Sequence, residues 1–314
     1  MPKRILVTGG LGFIGTNLIA FLRNNGNFEI RVLDNESLGR REYLTEFPEV
    51  EFIRADLRDP EKVYEGLKKM DCVIHLAADT RVMNSIVDPN LNFENNVVGT
   101  FNLLKAMRRA NVPTIINAST GGAILGDVPP PVHEGMLPEP ASPYGASKLA
   151  VEGYLSSFSK SYGLEAYSLR FSNVYGPRSW HKGSVVAHFM KQLLRGKELV
   201  VYGDGSQKRD YIYVEDICQG ILSAMQRRVS GVFQLGSGWP TTINKLIAHI
   251  SDVVGSGYPV SARYEDFRIG EIRNTWCDIS KAEEALGFSP SMPLDEGLAR
   301  TWRWFLEHRQ RLDQ

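Results

Sequence analysis

The stretch KRILVTGGLGFIGTNLIAFLRNNG, residues 3–26, decides the fold. It opens with the short apolar β-run Ile5 to Val7, places glycines at 9, 10, 12 and 15, and continues as a helical pattern through Ile14, Leu18, Phe21 and Leu22. A strand, a glycine turn and a helix in that order is the context a dinucleotide-binding fingerprint requires. The Gly9-x-x-Gly12-x-x-Gly15 spacing lets the backbone bend tightly and approach a pyrophosphate, and the helix N-terminus then faces the negative charge. The next strand runs from Glu29 to Leu33 and ends in Asp34, about twenty residues after the loop. A carboxylate there accepts hydrogen bonds from ribose hydroxyls and repels a 2′-phosphate, which argues for NAD over NADP. Arg40 and Arg41, in the polar loop that follows, speak weakly the other way.

Strands and helices go on alternating. Residues 50–57, 72–78, 114–119 and 166–173 read as further strands, with helical patterns between them at 92–110 and 143–162. Alternation of this kind predicts a doubly wound α/β fold, a parallel sheet with helices on both faces, whose ligands sit at the carboxyl ends of the strands. Beyond Arg170 the pattern changes. RFSNVYGPRSW is loop-like, 185–197 is helical, 199–217 reads as strand, turn and strand, and 300–309 reads as an amphipathic closing helix with Trp302 and Phe305 in the core. The expected division is a Rossmann-type NAD-binding domain from 1–171 plus 211–240, and a smaller C-terminal α/β substrate domain from 172–210 plus 241–314.

Composition narrows the function classes. The chain has 314 residues, 43% hydrophobic and 23% charged, an ordinary globular mixture. Lys+Arg and Asp+Glu are both 36, so no general attraction to nucleic acid or an acidic membrane is built in. Cys72, Cys218 and Cys277 are few, odd in number and widely spaced, which fits neither a disulfide framework nor a zinc motif and suggests a reducing compartment. His181 and His188 lie seven apart and make no metal motif. The start MPKRILVTGG is too short in apolar residues for a signal peptide, and no run approaches the ~18 residues of a membrane helix, so a cytoplasmic protein is expected.

The chemistry is concentrated in SPYGASK, residues 142–148. Ser142 and Pro143 read as a helix start, and Tyr144 and Lys148, four apart, share a helix face. A phenol beside an ammonium has a lowered pKa and can exchange a proton with an alcohol. The alternative is a solvated Tyr/Lys pair of no function.

Taken together, TGGLGFIG (8–15), LDN (33–35), ADLRD (55–59), HLAA (75–78), NVVGTFNLL (96–104), SPYGASK (142–148), RFSNVYGPR (170–178), 201–216 and ALGFSP (285–290) resemble, in order and over the whole length, an extended short-chain dehydrogenase/reductase of the nucleotide-sugar epimerase/dehydratase group. The resemblance implies bound NAD, held by Gly9, Gly12, Phe13, Ile14, Gly15, Asp34, Asn35, Asp56, Leu57, Leu76, Ala77, Ala78 and Asn96 together with Tyr144 and Lys148. Tyr144 is then the acid/base, and Lys148 bonds the nicotinamide ribose and lowers the Tyr144 pKa. Ser85, Asn173, Arg209, Arg268 and Glu271 are expected on the nucleotide sugar, the arginines on its diphosphate, where a guanidinium binds two oxygens at once. His75 is expected to be structural.

The family opens its reactions by hydride transfer to NAD, forming a keto sugar. Epimerases let that sugar rotate and take the hydride back; dehydratases eliminate water with an acidic pair after the fifth strand. Here those positions are Gly121, Gly122 and Ala123, which carry no proton-transferring side chain and count against dehydration. The family's helper hydroxyl aligns with Gly121; Thr120 is expected to replace it, with Ser119 second. UDP-glucose/UDP-galactose 4-epimerase is the leading expectation; a UDP-uronate or CDP-sugar epimerase, a decarboxylase, a reductase that releases NADH and a non-catalytic NAD-binding regulator are the alternatives. Arg81 fits a carboxylate or simply solvent. The resemblance also implies a homodimer through 92–110 and 143–162, with Phe101, Leu104, Val151, Tyr154, Leu155 and Phe158 in its seam or in the core.

Overall fold

A computed structural model describes residues 3–267 and 272–313, with side chains through Arg311. Twelve strands follow in chain order: β1 (Arg4–Thr8), β2 (Glu29–Asp34), β3 (Glu51–Arg54), β4 (Cys72–His75), β5 (Thr114–Thr120), β6 (Glu165–Phe171), β7 (Asn173–Tyr175), β8 (Leu199–Tyr202), β9 (Lys208–Tyr213), β10 (Gly231–Leu235), β11 (Pro240–Thr242) and β12 (Ala262–Glu265). Seven of them form one sheet in the order β10-β6-β5-β4-β1-β2-β3, and every pairing in it is parallel. The fold is thus the expected doubly wound α/β sheet. Its order reverses between β1 and β4, which is where such sheets bind ligands.

Alternation along the strands builds the two sides. Ile5, Val7, Cys72, Ile74 and Ile116 face one core, while Leu6, Val73 and Ile115 face the other. The first core is closed by the helices Phe13–Asn25 and Val214–Arg227, the second by Pro60–Leu67, Gly99–Ala110 and Pro143–Tyr162. A third core joins the helices Val185–Leu194, Ile243–Val254 and Leu294–Glu307 to β8 and β9, with Trp302 and Phe305 buried in it as expected.

Several expected elements end differently. The run 72–78 is strand only to His75, after which 76–78 carry the chain along the cleft. The run 50–57 is strand only from Glu51 to Arg54. The run 166–173 breaks at Ser172, and Asn173 begins β7 in a separate three-stranded sheet with β9 and β11. The two strands of 199–217 do not pair with each other: β8 joins β12, β9 joins β7 and β11, and the helix begins at Val214. The helical pattern 92–110 is three segments, Pro89–Phe93, the π-helical turn Glu94–Val98 and Gly99–Ala110. Of the residues expected at a dimer seam, Leu104, Val151, Leu155 and Phe158 belong to the second core, whereas Tyr154 is exposed and meets the Phe101 ring at 5.1 Å. Among the described residues, no helix is long and apolar enough to cross a membrane.

Candidate active site

The glycine turn after β1 needs its glycine. Gly9 has φ +69°, and a Cβ there would meet the Ala77 nitrogen at 2.6 Å, so a side chain would push apart β1 and the segment after β4. Gly12 stands at the N-cap of Phe13–Asn25 without a side-chain cap, which suits an anion at the first turn. At the end of β2, Asp34 is buried and accepts from Leu11 N at 3.1 Å and Glu36 N at 2.8 Å. Burial raises its pKa, against the pull of those two bonds. Asn35 donates to Asp56 at 2.9 Å, and Arg58 grips the same carboxylate twice, at 2.8 and 2.9 Å, holding it well below the usual carboxylate range. Leu57 is buried against Gly99, and its carbonyl accepts from Asn102. A side-chain-free turn, an uncapped helix start and a fixed carboxylate on the neighbouring strand fit the pyrophosphate and ribose of a dinucleotide.

The floor of the cleft is a hydrogen-bonded frame. His75 bonds Thr8 Oγ1 at 2.7 Å and Thr100 Oγ1 at 2.9 Å. Burial pulls its pKa down to about 3, so it is neutral and structural, as expected. Leu76 and Ala77 are tied to Thr8 through their backbone nitrogens. Asn96, in the π turn, accepts from Asp79 N at 2.7 Å and donates to Asp79 O and Ser147 Oγ at 2.9 Å each. It therefore links the segment after Ala78 to the helix that carries Tyr144.

That helix starts as its sequence predicts. Ser142 accepts from Gly145 N at 3.2 Å, and Pro143 opens the first turn. The small residues of SPYGASK have a steric cause: a Cβ at Gly145 would collide with the Ala123 carbonyl. Tyr144 and Lys148 are both buried, at 8% and 5% exposure. Three successive residues of β5 meet this helix. The Ala118 carbonyl accepts from Lys148 Nζ at 2.8 Å, Ser119 donates to Glu152 at 2.6 Å, and the Thr120 hydroxyl lies near enough to the Tyr144 phenol to pull its pKa down. Thr120 is thus the hydroxyl beside the phenol. Ser119 is buried and engaged elsewhere.

The electrostatics correct one expectation. The Tyr144 phenol is not lowered toward neutrality: burial pushes it up to about 12, with Thr120 pulling down and Asp79 adding to the rise. Burial also pulls Lys148 down to about 8, against the pull of Glu152. Desolvation outweighs any help the ammonium gives the phenolate.

Gly121 has its own explanation. A Cβ there would lie 2.6 Å from Oε1 of Gln234 on β10, whose side chain fills that space. The backbone at 121 is ordinary helical, so volume rather than conformation keeps the position bare. Ser85 also differs from expectation. It is fully buried, donates to Val82 O at 2.6 Å and accepts from Tyr144 N at 3.1 Å, so it holds the catalytic helix rather than a ligand. Asn173 is exposed at the start of β7. Arg209 reaches the carbonyls of Ile272 and Arg273 at 2.6 and 2.7 Å, tying down the chain where it leaves 268–271. Arg268 and Glu271 lie outside the described residues.

Sequence reasoning passed over Glu152, Arg170 and Gln234. The spacing of Glu152, four after Lys148, was a signal available in the sequence; the pairings of the other two exist only in three dimensions. Among the described residues, no group of three His, Cys, Asp or Glu could hold a metal, and the three thiols are free and buried.

The model of the NAD dependent epimerase/dehydratase family matches residues 5–236. The chain is 38% identical over 306 residues to a putative UDP-glucose 4-epimerase of Methanocaldococcus jannaschii, covering 96% of this chain and 97% of the relative. It superposes with TM-score 0.92 on a Thermotoga maritima UDP-glucose 4-epimerase crystallised with UDP-glucose, at 37% identity over 98% of this chain and all of that one. A UDP-N-acetylglucosamine 4-epimerase of Methanobrevibacter ruminantium, in complex with UDP-N-acetylmuramic acid, gives 0.91 at 35% identity, over 98% of this chain and 99% of that one. With the glycine turn, the Asp34 carboxylate and the Thr120–Tyr144–Lys148 arrangement in place, the chain belongs to the NAD dependent epimerase/dehydratase family.

Proposed function

We propose that the chain is an NAD-dependent nucleotide-sugar epimerase that inverts C4 of a UDP-hexose, with UDP-glucose and UDP-galactose as its pair. The observation that carries the reading is the buried Tyr144 and Lys148 on one helix face, Lys148 anchored to the Ala118 carbonyl and the Thr120 hydroxyl near the phenol, in a site where 121–123 offer no acid. Gly9, Gly12, Phe13, Ile14, Gly15, Asp34, Asn35 and the 76–78 segment would hold the dinucleotide. When bound, NAD supplies a hydride acceptor, a donor on the return and a fixed positive charge.

The chain's own residues then handle the proton. Thr120 holds the sugar oxygen on which charge develops, and Tyr144 takes its proton as the carbon becomes a carbonyl. Burial keeps the resting phenol protonated, so the base form depends on positive charge beside it, and Lys148 is the charge the chain provides. After the sugar turns over in the site, Tyr144 returns the proton. The Asn96 frame and the Ser85 bond to Tyr144 N keep the phenol fixed through both steps. Asn173 and Arg209 would contact the nucleotide, as would Arg268 and Glu271, which lie outside the described residues.

A second reading rests on Arg81, a cation in the segment that follows 76–78, which could meet the carboxylate of a uronic-acid sugar. NMR of products from UDP-glucose, UDP-N-acetylglucosamine and UDP-glucuronate decides between the readings, and loss of conversion in Tyr144→Phe ties either to the site. The exposed Tyr154 and its neighbour Phe101 support a homodimer through this helix pair, which light scattering checks.

A further inference from the structure

Beneath Tyr144 and Lys148 lies a buried ion pair that the proposed reaction does not use. Arg170 on β6 donates to Glu152 through Nε at 3.0 Å and Nη2 at 2.7 Å, and both side chains are nearly inaccessible. Glu152 also accepts the Ser119 hydroxyl at 2.6 Å. The pair joins three elements at once: β5, β6 and the helix Pro143–Tyr162.

The placement is specific. Tyr144, Lys148 and Glu152 occupy successive turns of one helix face. They meet Thr120, the Ala118 carbonyl and Ser119, three consecutive positions of β5. The first two contacts form the proton-handling site, and the third is the one reinforced by a two-pronged guanidinium. A helix that slid or turned on the sheet would break all three together. Burying an ion pair is costly in desolvation, and such pairs are best attested where they fix register.

We infer that Glu152, clamped by Ser119 and Arg170, is a positioning residue that sets the register of the catalytic helix on β5 and gives Lys148 its negative neighbour. This rests on the epimerase reading for its role in turnover. Around Lys148 lie Tyr144 and Glu152 on its own helix and His75 on β4, with Asp79 beside Tyr144 and Arg170 on β6 paired to Glu152. His75 is neutral, and Arg170 offsets part of the Glu152 charge. Glu152 is thus the anion that favours charged Lys148, and removing it makes Lys148 lose its proton at lower pH.

The test uses Glu152→Gln and, because that change leaves Arg170 charged and buried without a partner, Glu152→Gln/Arg170→Met beside it. Three readouts are taken: kcat and KM against pH, the melting temperature, and the ionisation of the Lys148 amine by NMR, assigned by comparison with Lys148→Met. A positioning role predicts kcat down by about 10- to 100-fold in both variants, with KM for the sugar nucleotide within about two-fold. It also predicts the alkaline fall of kcat beginning about one pH unit lower in Glu152→Gln, with the Lys148 amine losing its proton at lower pH. Reduced melting temperature with the alkaline fall in place, or a folded double variant with wild-type kcat, overturns it. If the wild-type protein converts no sugar nucleotide, the epimerase reading fails by itself, and the Lys148 titration still decides this inference: an unmoved amine contradicts it.

Discussion

Gln234 occupies the space that a side chain at Gly121 would fill, its Oε1 2.6 Å from where the Cβ would stand. On the proposed reading the helper hydroxyl is displaced by one residue rather than lost: Thr120 lies near Tyr144, and Gly121 gives its room to an amide from β10. Gly121→Ser is expected to lower stability by about 1–3 kcal/mol through overpacking, and Gln234→Ala in the same chain to recover much of that. Urea denaturation of the two single variants and the double one measures the coupling.

The two hydroxyls at the end of β5 separate by what they touch. Thr120→Val removes the hydroxyl beside Tyr144 and is expected to cut kcat by about 10²-fold or more, with little loss of stability. Ser119→Ala removes a buried bond to Glu152 and is expected to cost about 1 kcal/mol of stability. Steady-state kinetics beside thermal melts reads both.

Asp34 is the residue proposed to hold the adenosine ribose. Asp34→Ala is expected to weaken NAD binding by roughly 1.5–3 kcal/mol, the worth of hydrogen bonds to a charged group, and to narrow the preference over NADP. Because burial raises its pKa, Asp34 takes up a proton earlier than an exposed aspartate does as pH falls, and NAD affinity should weaken with it. Titration of NAD against both proteins across acidic pH follows the effect.

His75 gives a stability prediction. Its folded value is about 3 against an ordinary 6.5, so between those limits the unfolded chain binds the extra proton. The stability from neutral His75 is complete above pH 6.5 and is lost as pH falls toward 3, by roughly 4 kcal/mol at the lower end. Urea midpoints of the wild type and His75→Gln, compared at pH 7 and pH 4.5, should converge on acidification.

The sheet was legible because its signals are local. Ile5 to Val7, the glycines and Asp34 lie within one strand–turn–helix–strand unit, and apolar alternation needs no distant partner. The π turn at Glu94–Val98 was not legible: its residues read as ordinary helix, and the turn is fixed by Asn96 reaching Asp79 and Ser147. The break at Ser172 was hidden because RFSN carries on as apolar and polar strand residues, while β7 is claimed by β9 in another sheet. In the site, Tyr144, Lys148 and Thr120 could be read from one stretch and its alignment with a family pattern. The phenol's raised pKa could not, since depth of burial is set by the whole fold. Nor could the Glu152–Arg170 and Gly121–Gln234 pairs, whose members lie on separate elements.

On the proposed reading, Tyr144, with Thr120 and Lys148, moves a sugar proton while the sugar carbon is inverted. The most direct measurement is NMR of the purified protein with NAD and UDP-glucose, run beside Tyr144→Phe. The account predicts UDP-galactose accumulating to equilibrium with no net NADH, and none from Tyr144→Phe although it still binds NAD. Conversion that survives in Tyr144→Phe, or NADH formed in step with consumed sugar, would contradict it.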